Sequence, residues 1–195
     1  MKRMRILFTG VGGQGTLLAS RLLGEAAMSA GIPVRVSEVH GMAQRGGVVE
    51  STVMLGGIES PIIAEGEADL LVGFEPLETL RALRFCSTDT VIITNTAPIP
   101  PFTVTLGQAE YPPIPRWMEF MGSTFRTVIA YDAEAVAREA GSTKTVNVVL
   151  LGTLCATGLL PLRPEALRET IRSRVKPKLV DVNLAAFDRG LVQAQ

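Results

Sequence analysis

Two clusters of glycine and polar residues hold the side chains whose types and spacing suit chemistry. The first is TGVGGQGT at residues 9–16, in which three glycines form the pattern GxGxxG. Where this pattern follows a strand and opens a helix, backbone N–H groups and the helix N-terminus can hold a pyrophosphate. The Gln14 amide can donate and accept hydrogen bonds at once, which suits a polar ligand or a partner chain. The candidate site residues of the first cluster are Gly10, Gly12, Gly13, Gln14 and Gly15.

The second cluster is VHGMAQRGGV at residues 39–48, which contains Arg45 and the chain's single histidine, His40. A histidine can act as an acid or base near neutral pH, and an arginine can pair with a carboxylate or a phosphate. The sequence near His40 supplies no catalytic partner, so contact with a ligand or another subunit is favoured over loop stabilisation and over proton transfer. The candidate residues of the second cluster are His40, Gly41, Gln44, Arg45, Gly46 and Gly47.

Two interpretations of the first cluster are equally supported by the sequence. The glycines allow either close packing of the turn on a sheet alone, or contact with an anion or a cofactor phosphate as well. NAD binding is less favoured, because an acidic residue that holds the ribose should end the second strand. Glu38 is a weak candidate for that role, since the chain runs directly from it into the His40 loop.

The two clusters are positioned by a strand, a helix and a second strand. MRILFTG predicts a buried strand, QGTLLASRLLGEAAMSAG a helix and IPVRVSEV another strand. The helix pattern places Leu18, Leu22 and Ala26 on one face. Such a unit favours parallel pairing of its two strands through a right-handed crossover. Because loops that follow parallel strands meet at one edge of a sheet, we expect both clusters to face a common crevice.

The middle of the chain continues the alternation of strands and helices. GVVESTVMLGGIESPII alternates in polarity and predicts a hairpin that turns at Gly56 and Gly57. ADLLVGF and DTVIITNT predict buried strands on either side of an amphipathic helix, EPLETLRALRF. Residues 97–123 are rich in proline, which predicts a long functional or interface loop with little regular structure.

The last third of the chain predicts a strand, RTVIAY, and a helix that is capped by Asp132 and ends at Gly141. Helices are expected near residues 145–158 and 164–174, and the segment NLAAFDRG follows them. The sequence shows no repeat, linker or second domain. It therefore predicts an α/β fold: one three-layer α/β/α domain over residues 1–195, with a Rossmann-like, mostly parallel but mixed sheet.

Charge and cysteine usage narrow the classes of partner. The 19 basic and 19 acidic residues balance, so nucleic acid and an anionic membrane are not expected partners. The apolar run after the basic start is too short for a signal peptide, and a cytoplasmic location is expected. Cys86 and Cys155 lie far apart without ligand spacing, which predicts buried, reduced thiols and no metal bound by this chain.

The pairing of GVGGQG with SEVHGMAQRGG resembles the gamma-type subunits of 2-oxoacid:ferredoxin oxidoreductases, and among them the subunits that serve indolepyruvate. The resemblance continues through SPIIAEGEADLLVGFEPLETLR, NVVLLGTL and NLAAFDRG, so it covers nearly the whole chain. It adds Glu75 and Pro76 as a third motif. It implies that the three motifs shape a face toward a partner subunit and toward the path of coenzyme A.

The resemblance implies oxidative decarboxylation of a 2-oxo acid, such as an arylpyruvate, to an acyl-coenzyme A. Such complexes use thiamine diphosphate, magnesium, coenzyme A and [4Fe–4S] clusters that pass electrons to ferredoxin. This chain lacks a cysteine set for a cluster and a GDG segment for thiamine diphosphate. The expected partner is therefore a larger alpha subunit that carries these cofactors, and this chain is expected to bind none of them and to be inactive alone.

A second class of function stays open at this point. The Gly10 loop is compatible with a free-standing nucleotide-binding protein or an NAD(P)-linked oxidoreductase. A scaffold without any site is a third possibility, although two polar glycine loops would then have no evident use. Titration with NAD, NADP, ATP and FAD separates these classes.

Overall fold

The structure is a computed structural model that describes residues 2–40 and 47–194, and of His40 it describes the backbone alone. Six strands in the described part form a single mixed sheet. Four candidates of the second cluster lie outside the described residues, namely Gly41, Gln44, Arg45 and Gly46. The strands are β1 (Met4–Val11), β2 (Val34–His40), β3 (Val48–Leu55), β4 (Ala68–Gly73), β5 (Cys86–Asn95) and β6 (Thr127–Tyr131).

The strand order is β2-β3-β1-β4-β5-β6. Strands β1, β4, β5 and β6 pair in parallel, whereas β3 pairs antiparallel with both β1 and β2. The prediction of a mostly parallel, mixed sheet is therefore confirmed. The prediction that β1 and β2 pair directly is wrong: they run in the same direction, but β3 lies between them.

The predicted hairpin at Gly56 and Gly57 is also wrong. Strand β3 ends at Leu55, and the described residues between it and β4 form no strand. Gly56 has a positive φ of 81°, and its N–H donates to the carbonyl of Pro33 at 2.9 Å. The glycine turn therefore closes the end of the β2–β3 pair instead of reversing the chain into another strand.

Helices cover both faces of the sheet. Those in the described part are α1 (Thr16–Ser29), α2 (Pro76–Ala82), α3 (Phe102–Thr105), α4 (Ile114–Thr124), α5 (Ala133–Glu139), α6 (Val146–Ala156), α7 (Pro164–Arg174) and α8 (Val180–Leu191). Helices α1 and α5 to α8 pack in the larger core cluster on one face, and α2 and α4 pack in a second cluster on the other face. This arrangement confirms the predicted three-layer α/β/α class.

Two expectations about helices need correction. Leu22 and Ala26 of α1 are buried, but Leu18 is 42% exposed, because the face of α1 that meets the sheet is narrower than the apolar pattern suggests. The proline-rich residues 97–123 do contain regular structure, since α3 and most of α4 lie there. Pro115 stands in the first turn of α4, where proline leaves no hydrogen bond unmade.

The end of the chain follows the prediction closely. The Asp132 carboxylate accepts a hydrogen bond from the N–H of Ala135 at 2.8 Å and so caps α5. Gly141 follows that helix with a φ of 113°, a conformation that favours glycine. Helices α6 and α7 lie within the predicted ranges, and α6 is buried in the main core.

Candidate functional site

The first glycine cluster connects β1 directly to α1, as the sequence predicts. Gly15 is the N-cap residue of α1 and has a φ of 81°, and no side chain caps the helix there. Gly10 has no room for a side chain, because a Cβ would lie 2.7 Å from Oε1 of Gln14 and 2.8 Å from Cβ of Phe74. At Gly15 a Cβ would lie 2.8 Å from Nδ2 of Asn147 on α6. Close packing therefore explains at least these two glycines.

Gln14 uses its side-chain amide inside the protein. Its Oε1 accepts a hydrogen bond from the N–H of Val11 at 2.8 Å, and its Nε2 donates to the carbonyl of Phe74 at 2.8 Å. Val11 ends β1 and Phe74 follows β4, so the amide joins the carboxyl ends of two neighbouring parallel strands. The amide thereby fixes the shape of the glycine turn.

The described ends of the second cluster lie close to the first cluster at this edge of the sheet. The N–H of Gly12 donates to the carbonyl of Gly47 at 2.8 Å. The register of β3 pairs its first residue, Val48, with Val11, and pairs Val49 with both Gly10 and His40. The start and the end of the second cluster therefore lie beside the glycine turn, although β1 and β2 are not neighbours. The residues between these two ends lie outside the described part of the chain, so their roles stay predictions.

Glu75 fastens the proline-rich segment to the same edge. Its side chain is 1% exposed, and its Oε2 caps α2 by accepting from the N–H of Glu78 at 3.1 Å. Its Oε1 accepts from the Tyr111 hydroxyl at 2.6 Å and from the N–H of Ile99 at 3.1 Å. One carboxylate thus holds both ends of the segment between Ile99 and Tyr111. Burial, with the Glu75 carboxylate beside it, raises the pKa of Tyr111.

The sequence did not point to Tyr111 as a partner of this site. Glu75 directly precedes a proline at the first position of α2, and this order is a recognisable helix start. The contact with Tyr111, however, joins residues 36 positions apart, and no spacing rule links them. The sequence pattern therefore indicates the cap of α2 but not the contact between Glu75 and Tyr111.

A pocket of about 590 Å³ lies between the end of β1, the start of β3, helix α2 and the proline-rich segment. Its size falls in the range of small-molecule sites and also suits side chains of a partner. Of the predicted site residues, Gly47 and Glu75 line it. Phe102 of the proline-rich segment stands at the pocket and is 75% exposed. The pocket is therefore bordered by the second cluster and by the segment that Glu75 holds.

Polar groups are buried where α2 meets the sheet. The Thr79 hydroxyl lies 2.8 Å from that of Thr94, and Thr79 packs so closely over Gly73 that a Cβ there would overlap it. Glu78 is 3% exposed, and its Oε1 accepts from Arg81 at 2.7 Å. Its Oε2 is buried without a hydrogen-bond partner among the described residues. Burial raises the pKa of Glu78, because desolvation disfavours the charged carboxylate.

The two cysteines are poor candidates for redox or metal chemistry. Burial raises the pKa of Cys86 to about 12 and that of Cys155 to about 11, so both thiols are protonated at neutral pH. Residues 2–40 and 47–194 contain no group of three or more side chains that could hold a metal ion. A [4Fe–4S] cluster is held by four thiolates. Two protonated, separated thiols do not fit such a cluster.

These features define a Rossmann-like α/β protein in which the glycine turn and the pocket of about 590 Å³ lie at the same edge of the sheet. Residues 5–193 match the family model described as pyruvate ferredoxin/flavodoxin oxidoreductase. The chain belongs to this family. The family membership that the motifs implied is thereby confirmed.

Individual relatives agree with this assignment. The indolepyruvate oxidoreductase subunit IorB of Pyrococcus horikoshii is 45% identical over 197 residues, which cover 100% of this chain and 98% of that protein. The solved gamma subunit of a keto/oxoacid ferredoxin oxidoreductase from Geobacter sulfurreducens covers 98% of both chains with a TM-score of 0.72 and 24% identity, which shows the shared fold. The chain is homologous to subunits of multi-subunit oxidoreductases.

A longer solved chain has the same fold in one of its parts. The 2-oxoglutarate:ferredoxin oxidoreductase of Magnetococcus marinus matches 100% of this chain with a TM-score of 0.74 and 19% identity, over 31% of its own length. The fold of this chain therefore also occurs fused to further domains. Within the part of the chain that the structure describes, no helix is long and apolar enough to cross a membrane.

Proposed function

We propose that this chain is a non-autonomous subunit of a cytoplasmic 2-oxoacid:ferredoxin oxidoreductase that acts on indolepyruvate or related arylpyruvates. The observation that carries the proposal is the 45% identity to an indolepyruvate oxidoreductase subunit over the full length of this chain. In this proposal a larger alpha subunit holds thiamine diphosphate, magnesium and the [4Fe–4S] clusters. The complex converts the 2-oxo acid and coenzyme A to an acyl-coenzyme A and passes electrons to ferredoxin.

The share of this chain in the reaction is to shape the surroundings of the larger subunit's site. The first and second clusters and Glu75 supply the ligand-facing and partner-facing edge. The hydrogen bond from Gly12 to Gly47 supports one continuous edge, since it joins the two clusters at 2.8 Å. The buried Glu75 supports a fixed position for the proline-rich segment beside that edge.

The competing function, a free-standing NAD(P)- or nucleotide-binding protein, is less well supported by the same geometry. The N–H groups of Gly12 and Gln14 already donate to carbonyl oxygens within the protein. The Gln14 amide is also engaged at both of its polar atoms. Titration with NAD, NADP, ATP and FAD should therefore reveal no micromolar affinity, and binding that is abolished by Gly12→Val would favour the competing function.

Reconstitution tests the proposed function. The chain is purified alone and together with the larger subunit, and reduction of ferredoxin is followed with indolepyruvate and coenzyme A. The chain alone should be colourless, contain no iron and show no turnover, whereas the pair should be active. Turnover by the chain alone would refute its non-autonomous role. Comparison of indolepyruvate, phenylpyruvate and pyruvate then assigns the substrate.

A further inference from the structure

No helix in the described part of the chain covers one face of the sheet at its β2–β3 end, where only the segment after β3 packs, with Ile63 buried against Leu7 and Met54. Helix α2 packs mainly against β1, β4 and β5, and α4 against β6, whereas β2 and β3 are contacted on the opposite face by α1. A second pocket of about 170 Å³ lies on the face that no described helix covers, lined in part by Val39, Glu50 and Ile62. A sheet face without a covering layer normally meets another element.

The two pockets adjoin along β3. Alternate residues of a strand lie on one face, so Val48, Glu50 and Thr52 follow one another on the same side. Val48 lines the larger pocket, whereas Glu50 and Thr52 line the smaller one. We call this continuous surface the acidic groove, with Val48, Glu50 and Thr52 as its floor, Ile62 at one end and Phe102 at the other.

The rim of the acidic groove is apolar and exposed. Val39 is 64% exposed, Ile62 76% and Phe102 75%, and Val48 and Ile99 are also exposed large hydrophobic residues. Contiguous exposed apolar surface with a polar interior is typical of a protein–protein interface. Strand β2 is a terminal strand of the sheet formed by the described residues, and a terminal strand can pair with a strand of another chain.

The interior of the acidic groove carries an excess of negative charge. Among the described residues that line the two pockets, four are glutamates and one is basic, Arg81. Arg81 is already paired with Oε1 of Glu78, and Oε2 of Glu78 is buried without a partner in the described part of the chain. Glu75 and Glu78 are almost fully buried, so Glu50 and Glu110 are the carboxylates that can attract a cation there.

We propose that the acidic groove is the docking site for a segment of the larger subunit that carries a basic side chain between apolar ones. The basic group lies against Glu50, and the apolar flanks pack on Ile62 and Phe102. This inference rests on the proposed function, because it takes the larger subunit as the partner. The accessible carboxylates and the exposed apolar rim together favour a protein segment of this kind.

Matched substitutions test the proposal in the reconstituted complex. Glu50→Lys reverses the charge of the groove floor, and Ile62→Ser removes an apolar rim contact. Glu119→Lys on α4 and Leu179→Ser are the controls, since both side chains are exposed and lie outside the two pockets. The dissociation constant for the larger subunit is measured at low and high salt. Thermal unfolding of each isolated variant checks that it is folded.

Glu50→Lys should weaken binding at least tenfold and reduce its salt dependence, and Ile62→Ser should weaken it several-fold. Both controls should stay within about twofold of the wild-type value, as expected for surface changes outside an interface. Coenzyme A at millimolar concentration should leave the affinity unchanged.

Four outcomes would overturn the proposal. Equal affinity of all four variants would refute the docking site while leaving the proposed function intact. Release of the larger subunit by coenzyme A would assign the groove to a small ligand. Self-association of the wild-type chain that Ile62→Ser abolishes would assign it to a second copy. Absence of any binding by the wild-type chain would refute the proposed function together with the groove.

Discussion

The Tyr111 hydroxyl donates to the buried carboxylate of Glu75 at 2.6 Å, and this contact ties the far end of the proline-rich segment to the start of α2. The same carboxylate oxygen accepts from the N–H of Ile99. The segment between these two residues is therefore held as a closed loop by one buried carboxyl group. Loss of either contact should loosen the wall of the larger pocket without removing the cap of α2.

Tyr111→Phe tests the strength of this contact. The variant loses two hydrogen bonds, the one that the hydroxyl donates to the Glu75 carboxyl group and the one that it accepts from the N–H of Leu77 at 3.2 Å, so the free energy of unfolding should fall by about 2–4 kcal/mol. Tyr131→Phe is the matched control, because the Tyr131 hydroxyl pairs with the neutral hydroxyl of Thr153 and its loss should cost about 0.5–1.5 kcal/mol. Urea unfolding measures both values. Equal losses would contradict a stronger hold on the Tyr111 hydroxyl than on that of Tyr131.

Gly73→Ala tests the close contact between α2 and β4. A Cβ at Gly73 would overlap the side chain of Thr79, so we expect a loss of about 1–3 kcal/mol in stability, as for other overpacked sites. Gly122→Ala is the control, because a Cβ at this helical position meets nothing within 4 Å. It should stabilise α4 by about 0.5–1 kcal/mol. Similar unfolding midpoints for the two variants would refute the packing argument.

The thiols should respond to pH in a defined direction. The folded pKa values of about 12 for Cys86 and about 11 for Cys155 are raised by burial. Their contribution to stability is fully present below the ordinary thiol pKa of about 8.5, and it is lost as the pH rises toward the folded values. Unfolding midpoints should therefore fall from about pH 9 upward.

Iodoacetamide provides a direct readout of the same shift. At pH 8 the folded chain should react about 100-fold more slowly than the chain unfolded in urea, since the thiolate is the nucleophile. Comparable labelling rates in the two states would show that the thiols are not protected by burial.

Arg45→Ala tests the second cluster, whose central residues lie outside the described part of the chain. We expect stability of the isolated chain to stay within about 0.5 kcal/mol of wild type, while assembly or activity of the complex falls. Arg126→Ala is the control, because Arg126 is 80% exposed and pairs with Asp89 away from this edge. If Arg45→Ala unfolds the isolated chain while the assembled complex is otherwise normal, the loop has a structural role and our assignment is refuted.

Local sequence patterns predicted most elements of this fold. Asp132 signalled a helix start, and the structure places it at the N-terminus of α5. The direction of β3 could not be predicted, because alternating polarity is the same for parallel and antiparallel strands. Helix α4 was missed because neighbouring prolines suggested a loop, although Trp117 and Met121 have helical spacing and are both buried.

The candidate site was predictable only in part. Glycine patterns located the turn after β1, and the structure confirms its position between a strand and a helix. The internal use of the Gln14 amide depends on Phe74, which is 60 positions away in the chain. Such contacts follow from the sheet order, and the sheet order is a property of the whole fold.

Strand β3 runs antiparallel to β2, so the second cluster connects the ends of two paired strands. Its two ends are fixed by strand pairing, since Val49 is in register with both His40 and Gly10. Doubling the length of a flexible loop between fixed ends costs only about 0.6 kcal/mol. A loop from another family member could therefore be grafted between β2 and β3 without repacking the core, and the substrate preference of the reconstituted hybrid would show whether the second cluster contributes to specificity.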